Sequence, residues 1–153
     1  MNRIIFCTAF SLVMAMPVGA SAQTSVQPGK WELTSTFKGL PSGGGGERTN
    51  AVCLTQAVLQ ALPEKTLIEA SPPPSDDSEK RPRPQCEYLQ VRRDGAKSSW
   101  LTSCSEPKAT GSGSATVHSP QQVELHEELE IKKGFMSLKV QHGVQARRIG
   151  DCP

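Results

Sequence analysis

A hairpin is written into the run Cys86-Glu-Tyr-Leu-Gln-Val-Arg-Arg-Asp-Gly-Ala-Lys-Ser-Ser-Trp-Leu-Thr-Ser-Cys104. Two segments rich in β-formers flank Asp94-Gly95, a pair that tolerates the positive φ angles of a type I′ turn, and a cysteine closes each open end. Counting outward from a two-residue turn at Asp94-Gly95 sets Cys86 opposite Ser103, one residue short of Cys104. A one-residue bulge or a three-residue loop brings the cysteines face to face, within the roughly 4.4–6.8 Å Cα separation that a disulfide accepts. A chain built round such a clamp belongs to a β-rich fold class and an oxidising compartment. The clamp itself carries no chemistry.

Four of the five cysteines lie beyond residue 22: Cys53, Cys86, Cys104 and Cys152. Four cysteines allow three pairings. Hairpin geometry assigns Cys86 to Cys104 and leaves Cys53 with Cys152, a closure of nearly the whole domain. In the chain-entropy view the long closure contributes roughly 4–5 kcal/mol and the hairpin clamp about 3. Zinc is the competing use of four thiols, but none of the spacings approaches C-x-x-C.

The fifth, Cys7, falls in residues 1–22, which read as a signal peptide. Arg3 supplies the positive n-region, Ile4 to Val18 the apolar h-region, and Ala20-Ser21-Ala22 a small-residue cleavage site ahead of Gln23. The apolar run is shorter than the roughly 20 residues a bilayer requires and is broken by Pro17 and Gly19, so no stable membrane span follows cleavage. Cys7 follows bulky Phe6 inside the h-region, which is no place for a lipidated cysteine. The expected destination is the periplasm or the medium.

Residues 23–153 then make a single β domain, in which the chain's 17 Lys plus Arg, less Arg3, leave 16 against 15 Asp plus Glu. Such a balance offers no basic face to nucleic acid. Hydrophobic residues are only 36 % of the whole chain and crowd into the signal, so the domain has a thin core that needs its disulfide staples.

Trp31, Leu33 and Phe37 alternate with polar residues after Pro28-Gly29, a half-buried strand opened by a turn. Gly43 to Gly46 lack a following Lys-Ser/Thr and form a flexible loop, not a phosphate cradle. Glu47 to Cys53 return as a second strand. Leu54 to Leu62 form a short helix, with Thr55 as N-cap and Leu54 reaching Leu59 as a staple, and Pro63 stops it. Residues 63–85, with Pro72-Pro73-Pro74, Pro82 and Pro84 among charged and hydroxyl side chains, read as a proline-rich surface loop.

Beyond the clamped hairpin, Ala109 to His118 are a strand whose Gly111 and Gly113 leave room for a neighbouring backbone or the helix. Val123, Leu125, Leu129 and Ile131 share one face of the next strand, and Glu124, His126, Glu128 and Glu130 the other; Glu127 alone breaks the pattern. A turn at Lys133-Gly134 pairs Ile131 with Met136 and Leu129 with Leu138, places Glu128 opposite Lys139 and His126 opposite Gln141, and puts Met136, Leu138 and Val140 on the core face. Gly143 is expected to form a bulge in the last strand. The sum is a mainly β fold: an antiparallel meander of about 6–7 strands, open or partly closed up to a lipocalin-like barrel, with one short helix and two disulfides.

Taken together, Pro28-Gly29-x-Trp31-x-x-Thr34, Cys53-Leu54-Thr55, Ser99-Trp100-x-x-x-Cys104, Gly111-x-Gly113 and the terminal Ala146-Arg147-Arg148-Ile149-Gly150-Asp151-Cys152 resemble the domain of unknown function family 3617. The resemblance spans the whole mature chain and implies a small secreted all-β domain of Gram-negative bacteria with no assigned activity. Members often carry a Met- and Pro-rich loop after the first strand, where this chain has Ser42 and Gly43 to Gly46. A methionine-based copper site has no ligands here, Met136 being the sole methionine beyond the signal.

Chemistry is sparse. His126, flanked by Glu124 and Glu128 on its strand face, suggests a metal patch, but side chains two apart on a strand stand roughly 7 Å apart and need a ligand from a neighbouring strand. No metal or cofactor is expected. A hydrolase would need a nucleophile beside a base, and Gly111-Ser-Gly-Ser114 is not a nucleophile elbow. Glu127, Glu128 and Glu130 are more simply a solvated face. The chain is expected not to be an enzyme. Two functions remain: a noncatalytic envelope module that binds a protein or surface polymer through an open sheet face or an edge strand, and a lipocalin-like carrier of a small apolar ligand. Gly29-x-Trp31 at the head of a meander prompts the second, which requires closure round an apolar cavity of about 300 Å³ or more.

Overall fold

A computed structural model describes residues 25–40, 46–74 and 84–153. The signal segment, most of the glycine run and residues 75–83 of the proline-rich stretch lie outside the described residues. The alternating segments become seven strands: β1 (Gly29–Lys38), β2 (Glu47–Leu54), β3 (Cys86–Asp94), β4 (Lys97–Cys104), β5 (Ala109–Ser119), β6 (Gln122–Lys133) and β7 (Met136–Gly150). They form one antiparallel sheet in the order β2-β1-β7-β6-β5-β4-β3. β2 and β3 are its two edges, so the sheet is open and not a barrel.

That order dictates the rest. The chain leaving β2 must cross to the opposite edge before it can begin β3, a sheet width of about 29 Å at roughly 4.8 Å per strand. The crossing segment holds two helices, α1 (Gln56–Ala61) and α2 (Pro63–Ala70). Thr55 caps α1, its hydroxyl accepting from the Val58 N–H at 3.4 Å. Pro63 ends α1 as its sequence suggests, and it also starts α2 from the first turn, where a missing N–H costs nothing and a fixed φ helps. The proline-rich stretch is therefore partly helical. Its Leu67, with Leu59 of α1, packs on Trp31, Leu33, Leu125 and Val144 of the sheet.

Three register details differ from the sequence reading. Asp94 pairs with Lys97, so the β3–β4 turn is Gly95-Ala96; a bulge between Leu89 and Arg92, with Gln90 at φ 50°, then brings Cys86 opposite Cys104. The β6–β7 turn is Gly134-Phe135, with Gly134 at φ 60°, so Ile131 faces Leu138, Leu129 faces Val140, Glu128 faces Gln141 and Glu130 faces Lys139. The shift is two residues, so every side chain keeps its face. Gly143 makes no bulge: β7 runs unbroken through it, and the irregularity lies between Lys30 and Trp31, opposite Arg148 and Gly150.

Cys53 is joined to Cys152, with Cα atoms 5.6 Å apart, and Cys86 to Cys104. Near the first bond the two ends of the domain meet. Arg148 Nε donates to the Pro28 carbonyl at 2.8 Å, Arg148 pairs with Asp151, and Trp31 Nε1 donates to the Gln27 carbonyl at 3.0 Å. Met136, on the core-face phase, is exposed together with Phe135 because the β6–β7 hairpin tip runs past the layer of helices. Among the described residues no helix is long and apolar enough to cross a membrane.

Candidate functional site

Alternation puts every second residue of each strand under the helices, and register lines those residues up across the sheet. One such row reads Phe37, His142, Glu127, Gly113, Trp100, on β1, β7, β6, β5 and β4. The next contains Val140, Leu129, Gly111, Thr102 and Tyr88. Two titratable side chains thus stand side by side on a face otherwise built from apolar and small residues.

Glu127 is 4 % exposed. Its Oε1 accepts from Thr102 Oγ1 at 2.5 Å and from Trp100 Nε1 at 3.4 Å. The indole reaches that far because Gly113 has no side chain: a Cβ there would overlap the Trp100 ring. Burial pushes the Glu127 carboxyl above the ordinary carboxylate range, and the two hydrogen bonds offset only part of the push. Burial and the charges of Glu127 and Glu69 raise the phenol of Tyr88.

His142 is stacked on Phe37 with ring centroids 4.2 Å apart. Its Nε2 lies 2.9 Å from Ser35 Oγ and 3.3 Å from Ser71 Oγ. Ser71 commits its own proton to the Ile68 carbonyl at 2.6 Å, so toward the ring this hydroxyl can only accept. Burial holds the ring neutral, its pKa brought down to about 4. A serine beside a histidine beside a glutamate invites comparison with a hydrolytic triad. The parts do not connect: Ser35 is 0 % exposed, Glu127 bonds Thr102 and Trp100, and among the described residues no carboxylate reaches His142.

Above this row is a cleft of about 330 Å³. Glu127, His142 and Leu129 form its floor, Phe37 and Tyr88 flank it, and Ile68 with Pro72, Pro73 and Pro74 forms the far wall. The prolines bring no backbone N–H, so the wall is apolar without leaving donors unsatisfied.

The opposite face carries the histidine patch suggested by the sequence, with different partners. His126 faces Gly143, not Gln141. Its Nε2 lies 3.1 Å from one oxygen of Glu124, while His118 Nε2, from β5, lies 3.1 Å from the other. Those hydrogen bonds hold the Glu124 carboxyl below its usual range. The rings take opposite oxygens instead of converging, and among the described residues no three His, Cys, Asp or Glu side chains are gathered to hold a metal ion. Glu128 bonds Gln141 at 2.8 Å. Sequence reasoning missed His142, Ser35 and Ser71. Continuing the phase of Leu138 and Val140 through His142 to Val144 and Ala146 would have found the first; nothing local marks the serines.

No curated protein and no solved structure matches this chain. The family described as Protein of unknown function (DUF3617) matches residues 26–152, a span that takes in all seven strands, both helices, both disulfides and the cleft. The chain belongs to that family.

Proposed function

We propose that this domain is a noncatalytic extracytoplasmic binding module that takes a small, predominantly apolar molecule into the cleft beneath Pro72–Pro74. The observation that carries the reading is the cleft: about 330 Å³, apolar on its walls, with a few polar groups converging on its floor. The carrier idea survives without the barrel. The cavity lies between the sheet and the segment that crosses it, so closure of the sheet is not needed. The sealed Ser35 hydroxyl and the unconnected Glu127 and His142 support a noncatalytic role. Two disulfides suit an oxidising compartment. Binding of a protein or polymer through the sheet has less in its favour, because the helices cover the apolar face and the bulge at Leu89–Arg92 interrupts edge strand β3.

Native mass spectrometry of protein purified from the periplasm tests the proposal. We expect a bound small molecule, lost when Leu129→Arg fills the cleft. A bare polypeptide mass, together with no binding of added apolar probes by the folded protein, rejects it.

A further inference from the structure

We propose that the cleft selects a cation: an alkyl amine whose ammonium group binds Glu127 and whose hydrocarbon part lies along Phe37, Ile68 and the proline wall. This rests on the reading of the cleft as a small-molecule site and adds the charge of its occupant. Glu127 stands on the cleft floor, 4 % exposed, with both of its donors, Thr102 and Trp100, neutral and both on Oε1. Oε2 has no partner among the described residues. Among the described residues, no lysine or arginine lines the cleft. Lys65, whose Nζ stands 6.0 Å over the Tyr88 ring, has its charge taken by Glu69 of the same helix at 2.5 Å, and Arg93 is committed to Glu64 at 3.0 Å. His142 is neutral and its Nε2 is shared by two serines.

The chemistry of the headgroup follows. A carboxylate or phosphate would meet a buried carboxyl with no cation among the described residues to offset it, which is costly in an apolar setting. A hydroxyl could fit but would gain one neutral hydrogen bond. An ammonium gains a charge-assisted bond to Oε2 of the ionised carboxyl and lies near the Phe37 and Tyr88 rings, whose faces attract cations. Where the Glu127 carboxyl carries its proton, the O–H bond breaks on binding, the proton passes to solvent, and an N–H···O bond forms in its place.

Octylamine, octanol and sodium octanoate carry the same chain with three headgroups, and quenching of Trp100 emission or calorimetry at about pH 7 ranks them. We expect octylamine to bind at least about tenfold more tightly than octanol, equivalent to ~1.4 kcal/mol, with octanoate weakest. In Glu127→Gln the amine-to-alcohol ratio should fall to within about twofold. Equal affinities for amine and alcohol in the unaltered protein, or a preference that survives Glu127→Gln, overturn the inference and leave the small-molecule reading standing. Failure of all three to bind overturns both. Should Glu127→Gln not fold, calorimetry of the unaltered protein with octylamine and octanol along a pH series from about 8 to about 5 supplies the second measurement. The amine-to-alcohol ratio should fall on acidification as the carboxyl gains its proton, and a ratio independent of pH overturns the inference.

Discussion

Replacing His142 by glutamine should remove much of the acid sensitivity of this domain. Burial alone holds the folded imidazole at about 4, against 6.5 for an unperturbed ring. The folded state therefore takes up the proton less readily than the unfolded chain. The stability tied to the neutral ring is complete above pH 6.5, drains away as the pH falls, and is gone below about 4. At about 1.4 kcal/mol per pH unit the interval is worth roughly 3 kcal/mol. The titratable groups near the ring are Glu127 on β6, Tyr88 on β3 and Glu69 on α2. Tyr88, raised, stays neutral throughout. Glu127 acts in the opposite sense: its carboxyl is raised by burial, so its contribution is present at low pH and lost as pH rises through the folded value. In the unaltered protein the two partly cancel on acidification, whereas Glu127→Gln leaves the His142 loss undiluted. Urea unfolding followed by tryptophan fluorescence between about pH 7 and about pH 4 measures these slopes. The loss of unfolding free energy on acidification should be steepest in Glu127→Gln, intermediate in the unaltered protein and shallowest in His142→Gln. A slope in His142→Gln equal to that in Glu127→Gln would refute the reasoning, because the proton would then be taken up elsewhere. An ion pair between Glu127 and His142 would invert both pKa directions and reverse the order.

Gly113→Ala should cost about 1–3 kcal/mol, because its Cβ overlaps the Trp100 ring, and should alter the near-ultraviolet circular dichroism of that indole; an unchanged unfolding midpoint would show that the ring yields freely. Thr102→Val removes the 2.5 Å donor to Glu127 and should cost about 1–3 kcal/mol by chemical denaturation, less at low pH where the carboxyl is protonated; a pH-independent loss would assign the effect to packing alone. Loss of the Cys53–Cys152 bond through paired serine substitutions should cost roughly 4–5 kcal/mol, and loss of Cys86–Cys104 about 3, since the first closes a sequence separation of 99 residues and the second one of 18. The reverse order in denaturant midpoints would count against the loop-entropy account.

Strand positions and faces were readable because period-two alternation is local: Trp31 and Leu33, Val123 and Leu125, Val140 and Val144 declare their sides residue by residue. Exact registers were less so. The turn after β6 slides by one residue and the pairing by two, which moves no side chain to the other face, so patterning cannot distinguish Lys133-Gly134 from Gly134-Phe135. The second helix was hidden because Pro63 stops one helix and starts the next, and a proline alone does not say which. Glu127 was visible as the one charged residue out of phase. What it meant was not, since its partners Thr102 and Trp100 are 25 and 27 residues away and Ser71 reaches His142 over 71. Such meetings are set by strand order, which no local pattern encodes.

Strand order also explains why there is a cleft at all. Because β2 and β3 are opposite edges, the chain between them must lie over the face that alternation has made apolar. As long as it is helical, Leu59 and Leu67 fill the space beneath it. The helix ends at Ala70, held by Asn50 Nδ2 donating to the Ala70 carbonyl at 2.9 Å, and Pro72-Pro73-Pro74 can neither continue it nor pair with a strand. An extended proline run presents rings without long side chains to reach down, so the layer stands off the sheet there. Under that gap the row carries Glu127 and His142 where neighbouring rows carry leucine and valine. A core position given to a carboxyl costs stability wherever the layer above is closed. Where it is open, the carboxyl is accessible to a bound molecule, and Glu127 and His142 both fall where the crossing chain leaves room.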